Sequence, residues 1–339
     1  MRKETGKYNK QLSDLLDESA NIVLVCHHNP DGDAVGSMLG LNRYLQLRGK
    51  SPVMISPNEI QEFLTWMINI DSIIVNEKYP GRAVKHIKEA DLIIMLDFNH
   101  IDRTGKLKTH IKSSGANKIL IDHHPEPDID VDLLVSEPRY SSTAELVFSL
   151  VRDIEGEYFT DYDFMEAIYV GMMTDTGNFS YGTFNGDTLR EVAVMLDNGL
   201  DKDFIVSSVY DNFSINRLRL QGFATYERLV YLNEYHTAYV YLSKADLDRF
   251  KYKVGDTEGF VNIPLTVKGT ILSALFIEKE NHIKVSLRSK GDFNVNSFAE
   301  EYFNGGGHFN ASGGRFKGTM KECLAYFEKI LDSQDSLKA

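Results

Sequence analysis

Three short, unbroken apolar runs in the first half of this chain each lead into a carboxylate or a carboxylate–imidazole cluster. This pattern limits the fold more than any other feature. Residues 21–26 (NIVLVC) run into His27-His28-Asn29-Pro30-Asp31-Gly32-Asp33, residues 91–96 (DLIIML) end at Asp97, and residues 118–121 end at Asp122-His123-His124. Such runs, lacking polar alternation, read as strands buried on both faces. Residues 33–47 read as a helix, with Val35, Met38, Leu39 and Leu45 on one face, Leu41 near its edge and Asn42 interrupting it. Residues 52–56 read as another strand. Strands alternating with helices predict an α/β domain with a mainly parallel, five- to six-stranded sheet and helices on both faces. Ligands of such sheets bind beyond the carboxyl ends of the strands, and all three clusters fall there.

Residues 166–173 look helical and would deliver Asp175, within Thr174-Asp175-Thr176-Gly177, from a helix C-terminus. Residues 187–198 and 204–232 are mostly helical in pattern. From residue 236 the texture becomes β-rich, over 236–242 and 270–288, with Lys279-Glu280-Asn281-His282 as a hairpin turn and helices over 295–302 and 320–331. A length of 339 residues suits two cores. The expected division is a catalytic domain over 1–205, a helical linker over 206–235 and a smaller α/β domain over 236–339.

No apolar run approaches a membrane span, and Met1-Arg2-Lys3-Glu4-Thr5-Gly6 is polar, without a signal-peptide core. Cys26 and Cys323 are far apart and form no CxxC pair, so neither a structural zinc site nor a disulfide framework is suggested; a cytoplasmic location is expected. The net charge of −12 disfavours long duplex DNA, which is held by neutralising many phosphates. A nucleic-acid substrate should be short and held by a local basic pocket. Cys26, His86, His110, His236 and His282 read as structural or surface residues, and Trp66 as a helix-packing residue.

The clusters offer hard oxygens and imidazoles, the donors that two Mn²⁺ or Mg²⁺ ions take. A helix N-cap accounts for Asp33 alone, not for its neighbours His27 and Asp31. Pro30 fixes the turn, and Gly32 relieves crowding so that carboxylates two apart can face neighbouring ions. Asp97 suits a carboxylate bridging two cations roughly 3.5–4 Å apart. Of His123 and His124, one can bind metal while the other moves a proton, and Asp122 can orient a histidine. Metal-assisted cleavage of a phosphate ester is the chemistry these residues suit.

In the second half, Gly305-Gly306-Gly307-His308 is followed by Ala311-Ser312-Gly313-Gly314, with Arg288, Ser289, Lys290, Arg315 and Lys317 nearby. Tight glycine turns let backbone N–H groups approach phosphate oxygens, and His308 can add a hydrogen bond. A phosphate or nucleotide pocket is the expectation.

The ordered set His27-x-x-Pro30-Asp31-x-Asp33, Asp97, Asp122-His123-His124 and Asp175 resembles the DHH phosphoesterase family, and the Gly-Gly-Gly-His segment resembles the domain that follows it in one branch. The resemblance implies two Mn²⁺ ions, with Mg²⁺ as a substitute: His27, Asp31 and Asp97 at one, Asp33, Asp97, His123 and Asp175 at the other. It implies a catalytic role for His124, protonating the leaving oxygen, and for Arg103 beside the substrate. It implies that Arg288, Gly306, Gly307 and His308 hold a nucleotide's terminal phosphate and sugar, and that the two domains close over a short substrate. Size and layout are most similar to the nanoRNase branch, whose substrates are oligoribonucleotides of two to five nucleotides and 3′-phosphoadenosine 5′-phosphate (pAp); a homodimer is compatible with it. The alternatives are a cyclic-dinucleotide or pApA phosphodiesterase, a RecJ-type single-strand exonuclease and a non-catalytic nucleotide-binding regulator. The chain departs from the family pattern at Asn304, at Ser312 and at Phe98-Asn99-His100, which bears on substrate preference.

Overall fold

The computed structural model describes residues 5–180 and 182–338; the first four residues of the polar N-terminal segment lie outside them. The chain divides into two compact units, residues 1–212 and 213–339.

The first unit contains, in order, α1 (Gly6–Glu18), β1 (Ile22–Val25), α2 (Gly32–Leu47), β2 (Val53–Ser56), β3 (Ile74–Val75), α3 (Pro80–Glu89), β4 (Leu92–Leu96), α4 (Lys108–Ser113), β5 (Asn117–Asp122), β6 (Leu133–Ser136), α5 (Thr143–Glu155), α6 (Tyr162–Asp175), α7 (Gly186–Asp197) and α8 (Lys202–Tyr210). Its six strands form one parallel sheet in the order β3-β2-β1-β4-β5-β6. Both faces are dry, which explains the unbroken apolar strands. Ile22, Leu24, Ile94 and Leu96 enter a core with α1, α2, α5 and α6. Val23, Val25, Ile93 and Met95 enter a second core on the other face, with Ala83 and Ile87 of α3 and Ile111 of α4. Trp66 packs edge-on against Phe204 of α8, ring centroids 5.3 Å apart.

Helix α2 is buried on nearly every side rather than along one stripe, and Asn42 is enclosed with its Nδ2 unpaired. One of those sides is a close crossing with α6. A Cβ at Gly32 would stand 2.3 Å from Thr174 Oγ1, one at Gly36 2.4 Å from the Ala167 carbonyl oxygen, and one at Gly40 2.8 Å from Ile168 Cδ1. Gly32 therefore serves helix–helix approach, not the spacing of the two carboxylates beside it. These glycines recur every four residues and line one face of α2.

The second unit contains α9 (Ile215–Glu227), β7 (Leu229–Leu232), β8 (Thr237–Leu242), α10 (Lys244–Arg249), β9 (Leu272–Glu278), β10 (Ile283–Ser289), α11 (Val295–Phe303), β11 (Gly306–His308), β12 (Ala311–Phe316) and α12 (Met320–Leu331). The sheet runs β11-β12-β10-β9-β8-β7 and is antiparallel except for the parallel pair β8–β9. Helices α11 and α12 cover one face through Phe298, Phe303 and Phe327, while α9 and α10 cover part of the other through Leu220, Ala224 and Leu247. The β9–β10 hairpin turns at residues 279–282, closed by Lys279 N donating to the His282 carbonyl at 2.9 Å.

Two expectations need correction. Residues 206–235 form no segment of their own: α8 belongs to the first unit, whereas α9 and β7 belong to the second, and Leu229–Leu232 is strand because it pairs with β8. The glycine run does not form tight turns but a short strand, β11, paired with β12 as a hairpin. A Cβ at Gly305 would meet the Gly313 carbonyl at 1.9 Å, and one at Gly314 would meet Phe303 at 2.7 Å, so close packing accounts for glycine at both positions.

Gly36→Ala should lower stability by about 1–3 kcal/mol, because both nearest obstacles are α6 backbone atoms that cannot rotate away. Gly115→Ala, with nothing within 4 Å of its Cβ, is the control. Thermal unfolding of both variants measures the difference; equal melting temperatures would remove the argument for a tight α2–α6 crossing.

Candidate metal centre

Five elements converge at the carboxyl end of the parallel sheet. β1 leads into His27, β4 into Asp97, and β5 into Asp122, His123 and His124. α2 begins beside Asp31 and Asp33, and α6 ends on Asp175. Asp97 has φ +67°, a left-handed conformation that Asp tolerates better than most residues, and its N–H still donates to the Ile121 carbonyl at 3.1 Å. The chain thus leaves the sheet edge-on and turns the carboxylate into the centre.

Asp97 joins two groups of donors. His27 Nε2 lies 3.5 Å from Asp97 Oδ2 and 3.8 Å from Asp31 Oδ1. His123 Nε2 lies 3.7 Å from Asp97 Oδ1, 3.7 Å from Asp33 Oδ2 and 3.5 Å from Asp175 Oδ2. All of these residues are buried except Asp31 and Asp175, whose side chains keep 53% and 27% of their exposure and form the rim toward solvent.

The imidazoles are aimed from behind. His27 Nδ1 donates to the His28 carbonyl at 2.9 Å, and His123 Nδ1 to the Tyr140 carbonyl at 3.3 Å. A carbonyl only accepts, so each Nδ1 carries the proton and each Nε2 presents a lone pair to the carboxylates. His124 differs: its Nδ1 donates to Asp122 Oδ1 at 2.7 Å, and Asp122 is wholly buried.

The carboxylates are held by helix termini. Asp31, not Asp33, is the N-cap of α2, accepting from Asp33 N and Ala34 N at 3.1 Å each. Asp33 instead accepts from the first turn of α5, Thr143 N at 2.7 Å and Ala144 N at 2.8 Å, while Thr143 Oγ1 donates to Asp97 Oδ1 at 2.9 Å. The first turn of α5 is therefore part of the centre, with its N–H groups and dipole turned to negative charge. Sequence reasoning passed over it. Its signal is Ser142-x-x-Glu145, a capping pattern at the start of an apolar helix. Glu145 accepts from Ser141 N at 2.6 Å and from Thr188 Oγ1 at 2.8 Å, fixing that turn in place.

The protonation equilibria record the crowding. Burial pushes the Asp97 carboxyl well above its ordinary range, and the charges of Asp33, Asp31, Asp122 and Asp175 add to it. Burial also raises Asp33. Asp31 stands at the rim, but the part of its carboxylate that faces the cluster is desolvated, which acts upward; the hydrogen bond and charge of His27 outweigh this and hold the group below its usual range. Burial acts downward on His123, yet Asp175, Asp33 and Asp122 raise it overall. His124 is lowered, because burial outweighs its bond to Asp122.

Such a cluster fits divalent cations. Among the described residues, Asp31, Asp33, Asp97 and Asp122 have no lysine or arginine within ion-pair distance, and the buried Asp122 Oδ2 has no hydrogen-bond partner. Concentrated buried carboxylates are sustained by protonation or by metal. Hard oxygens mixed with imidazoles are the donor set of Mn²⁺ and Mg²⁺ rather than of a thiolate metal.

Arg103 stands apart from the donors. Its side chain is exposed, and its carbonyl accepts from His28 N at 2.6 Å; its charge is felt at Asp31 and His124. Arg288, Gly306, Gly307 and His308 belong to the second unit. Arg288 is half-buried on β10 with its Nε unpaired, and register sets both Arg288 and His308 opposite Ala311. Gly307 N donates to Asn296 Oδ1 at 2.6 Å, so that amide is already engaged.

Comparison with known proteins agrees with this arrangement. Residues 21–172 match the DHH family, N-terminal domain, and residues 234–334 match the DHHA1 domain. The chain is 28% identical over 295 residues to the bifunctional oligoribonuclease and PAP phosphatase NrnA of Bacillus subtilis, covering 86% of this chain and 88% of that protein. A crystal structure of an exopolyphosphatase-related protein from Bacteroides fragilis is 40% identical, covers 96% of each chain and superposes with a TM-score of 0.91. RecJ from Thermus thermophilus in complex with Mn²⁺ shares the fold at 13% identity, with a TM-score of 0.55 over 97% of this chain and 54% of that one. The chain belongs to the DHH family and is a phosphoester hydrolase, with a DHHA1 domain following its catalytic half.

Proposed function

We propose that this protein is a two-metal phosphoesterase, served best by Mn²⁺, that hydrolyses short oligoribonucleotides to mononucleotides and pAp to AMP. The observation that carries the reading is the sharing of Asp97 between two donor groups, His27 with Asp31 and Asp33 with His123 and Asp175. The relative from Bacillus subtilis, named for oligoribonuclease and PAP phosphatase activity, supports the substrate class. Divalent cations bound there supply Lewis acidity toward the scissile phosphate and neutralise charge that develops on it.

The chain's own groups do the rest. His27 and His123 keep lone pairs pointed inward through their Nδ1 hydrogen bonds. The amides of Thr143 and Ala144 hold both oxygens of Asp33, and the Thr143 hydroxyl restrains Asp97. His124 keeps a proton on Nδ1 through Asp122, which leaves Nε2 to exchange a proton with the reacting oxygens. Burial holds its pKa below the ordinary imidazole value, which favours the neutral ring before substrate binds. Phosphate charge nearby favours the imidazolium, so the proton given to the leaving oxygen is taken up as substrate binds. Arg103 offers an exposed guanidinium to the substrate, and Arg288, Gly306, Gly307 and His308 hold the nucleotide end. A duplex is a poor substrate for a chain with net charge −12.

Replacing Asp97 with Asn should abolish turnover and reduce bound Mn²⁺, since one carboxylate serves both donor groups. His124→Ala should lower kcat by about 10²–10⁴ while metal content stays normal, whereas His123→Ala should lose metal. Metal analysis together with steady-state kinetics separates these cases. Near-normal kcat in Asp97→Asn would overturn the two-metal reading, and equal metal loss at His123 and His124 would overturn the division between them.

Turnover with Mn²⁺ on di- to pentaribonucleotides, pAp, pApA, cyclic di-AMP and long single-stranded DNA tests the substrate class. Short RNA and pAp should be turned over with the highest kcat/KM. Preference for the cyclic dinucleotide, or processive loss of long DNA, would reassign the enzyme within its family.

A further inference from the structure

The sheet of the second unit is covered unevenly on one face. Register puts Ile277 beside Lys284, Leu275 beside Ser286 and Ser273 beside Arg288, so these residues share that face. On β9 it is buried, with Leu275 and Ile277 in the core that α9 and α10 share. On β10 and β12 it is open. Lys284 and Arg315 are exposed and Ser286, Arg288, Gly313 and Ala311 half-buried, whereas Ile283, Val285 and Leu287 point to the opposite core.

Lys284 stands directly opposite Arg315 in the antiparallel ladder. Opposed residues have Cβ atoms about 4.5–5.5 Å apart, and like charges there destabilise the pair. Among the described residues neither side chain makes a hydrogen bond or an ion pair. Lys284 and the carboxylates Asp256 and Glu258 all act on Tyr252 through their charges, but among the described residues neither carboxylate is within ion-pair distance of Lys284, and the Tyr252 ring carries the Lys279 ammonium 4.9 Å from its centroid. Lysines are common on edge strands, where they block unwanted pairing. That role does not apply to Lys284, because β10 is an interior strand, although β12 is flanked by β11 only over residues 311–313 and runs as an edge at Arg315. Two unneutralised cations are therefore held face to face over a floor of Ser286 and Gly313, where small side chains leave room for an anion.

We infer that Lys284 and Arg315 form a second phosphate subsite, which takes an internal phosphate of an oligonucleotide whose terminal phosphate is held around Arg288 and His308. The inference rests on the oligoribonuclease reading above. Lys284 and Arg288 are four positions apart on β10, about 13 Å along the strand, farther than neighbouring phosphates of one nucleic-acid strand. A dinucleotide or pAp anchored at Arg288 does not span that distance, and a longer oligonucleotide does. The subsite thus sets dependence on chain length and leaves the chemistry unchanged.

The test is binding by the full chain in EDTA, measured by competition anisotropy with 5′-phosphorylated di- and pentaribonucleotides over a salt series. In the double variant Lys284→Ala/Arg315→Ala, Kd for the pentanucleotide should rise about tenfold, and its log–log salt slope should shrink by about 0.7–1. The dinucleotide should stay within about twofold of wild type. Lys284→Glu creates an opposite-charge pair with Arg315, so its melting temperature should not fall while pentanucleotide binding is lost. Equal losses for both lengths, or no loss for either, overturn the subsite. Inorganic polyphosphate competing equally well, with the same loss in the variants, overturns its assignment to RNA. Binding is read without turnover, so failure of the substrate panel above would show separately from failure here.

Discussion

The first unit depends on a carboxylate placed where charge is least welcome. Asp97 is 2% exposed, with imidazoles near both of its oxygens and four other carboxylates close enough to raise its pKa. An ion in such a place costs several kcal/mol after relaxation unless it is compensated. Its left-handed backbone adds about 1–2 kcal/mol. Among the described residues no lysine or arginine lies within ion-pair distance of Asp97, which leaves protonation or bound cations to sustain the cluster. Metal binding and folding of this end of the sheet are therefore linked: what binds the native cluster stabilises the geometry that creates it.

Geometry of that quality needs rigid supports, and the unit provides them by close helix packing. α2 and α6 approach until glycine is required on α2, which brings the start of one helix and the end of the other to the same point. Asp33 and Asp175 thereby reach His123 from opposite directions. On another side of α2, about 200° round the helix from Gly40, Asn42 is buried with an unpaired amide nitrogen, a cost of about 1–3 kcal/mol that an apolar side chain would avoid. α5 completes the frame by aiming its first turn at Asp33 and Asp97, so unsatisfied helix N–H groups become part of the anion's environment.

Much of this was legible in the sequence, for a physical reason. Parallel strands buried on both faces must be apolar throughout, so β1, β4 and β5 identified themselves, and the residues that leave them at the carboxyl end lie close together. β3 is two residues long, and β6 leaves Leu134 exposed, so neither carries that pattern. Residues 229–232 read as helix because their apolar residues lie among helical neighbours, and only pairing with β8 makes them strand. Asp31 exchanged roles with Asp33 as helix cap, because two carboxylates two residues apart both satisfy the local preference and tertiary contact with α5 decides between them. Thr143 escaped notice for a related reason: its hydroxyl matters through a partner 46 residues away, and nothing local marks it.

Glycine shows how one residue type can carry two messages. At Gly305 and Gly314 the absent Cβ is demanded by the Gly313 carbonyl and by Phe303, so packing within the β11–β12 hairpin and against α11 suffices to explain them. At Gly313 the nearest obstacle is the Val285 carbonyl at 3.3 Å, a contact that a methyl group could almost make. Gly313 lies on the open face between the rungs that hold Lys284 with Arg315 and Arg288 with Ala311. Its small size is thus better accounted for by what must lie on the sheet than by what packs within it. In a chain of net charge −12, an open strip with unpaired cations at one end and Arg288 at the other is a local reversal of sign. A field of that kind is screened within about a Debye length, ~8–10 Å at physiological salt. It attracts anions that can lie along the strip, while a long polyanion continuing past it meets the acidic remainder of the surface. On the proposed subsite, length selection would follow from where the positive charge stops as much as from where it begins.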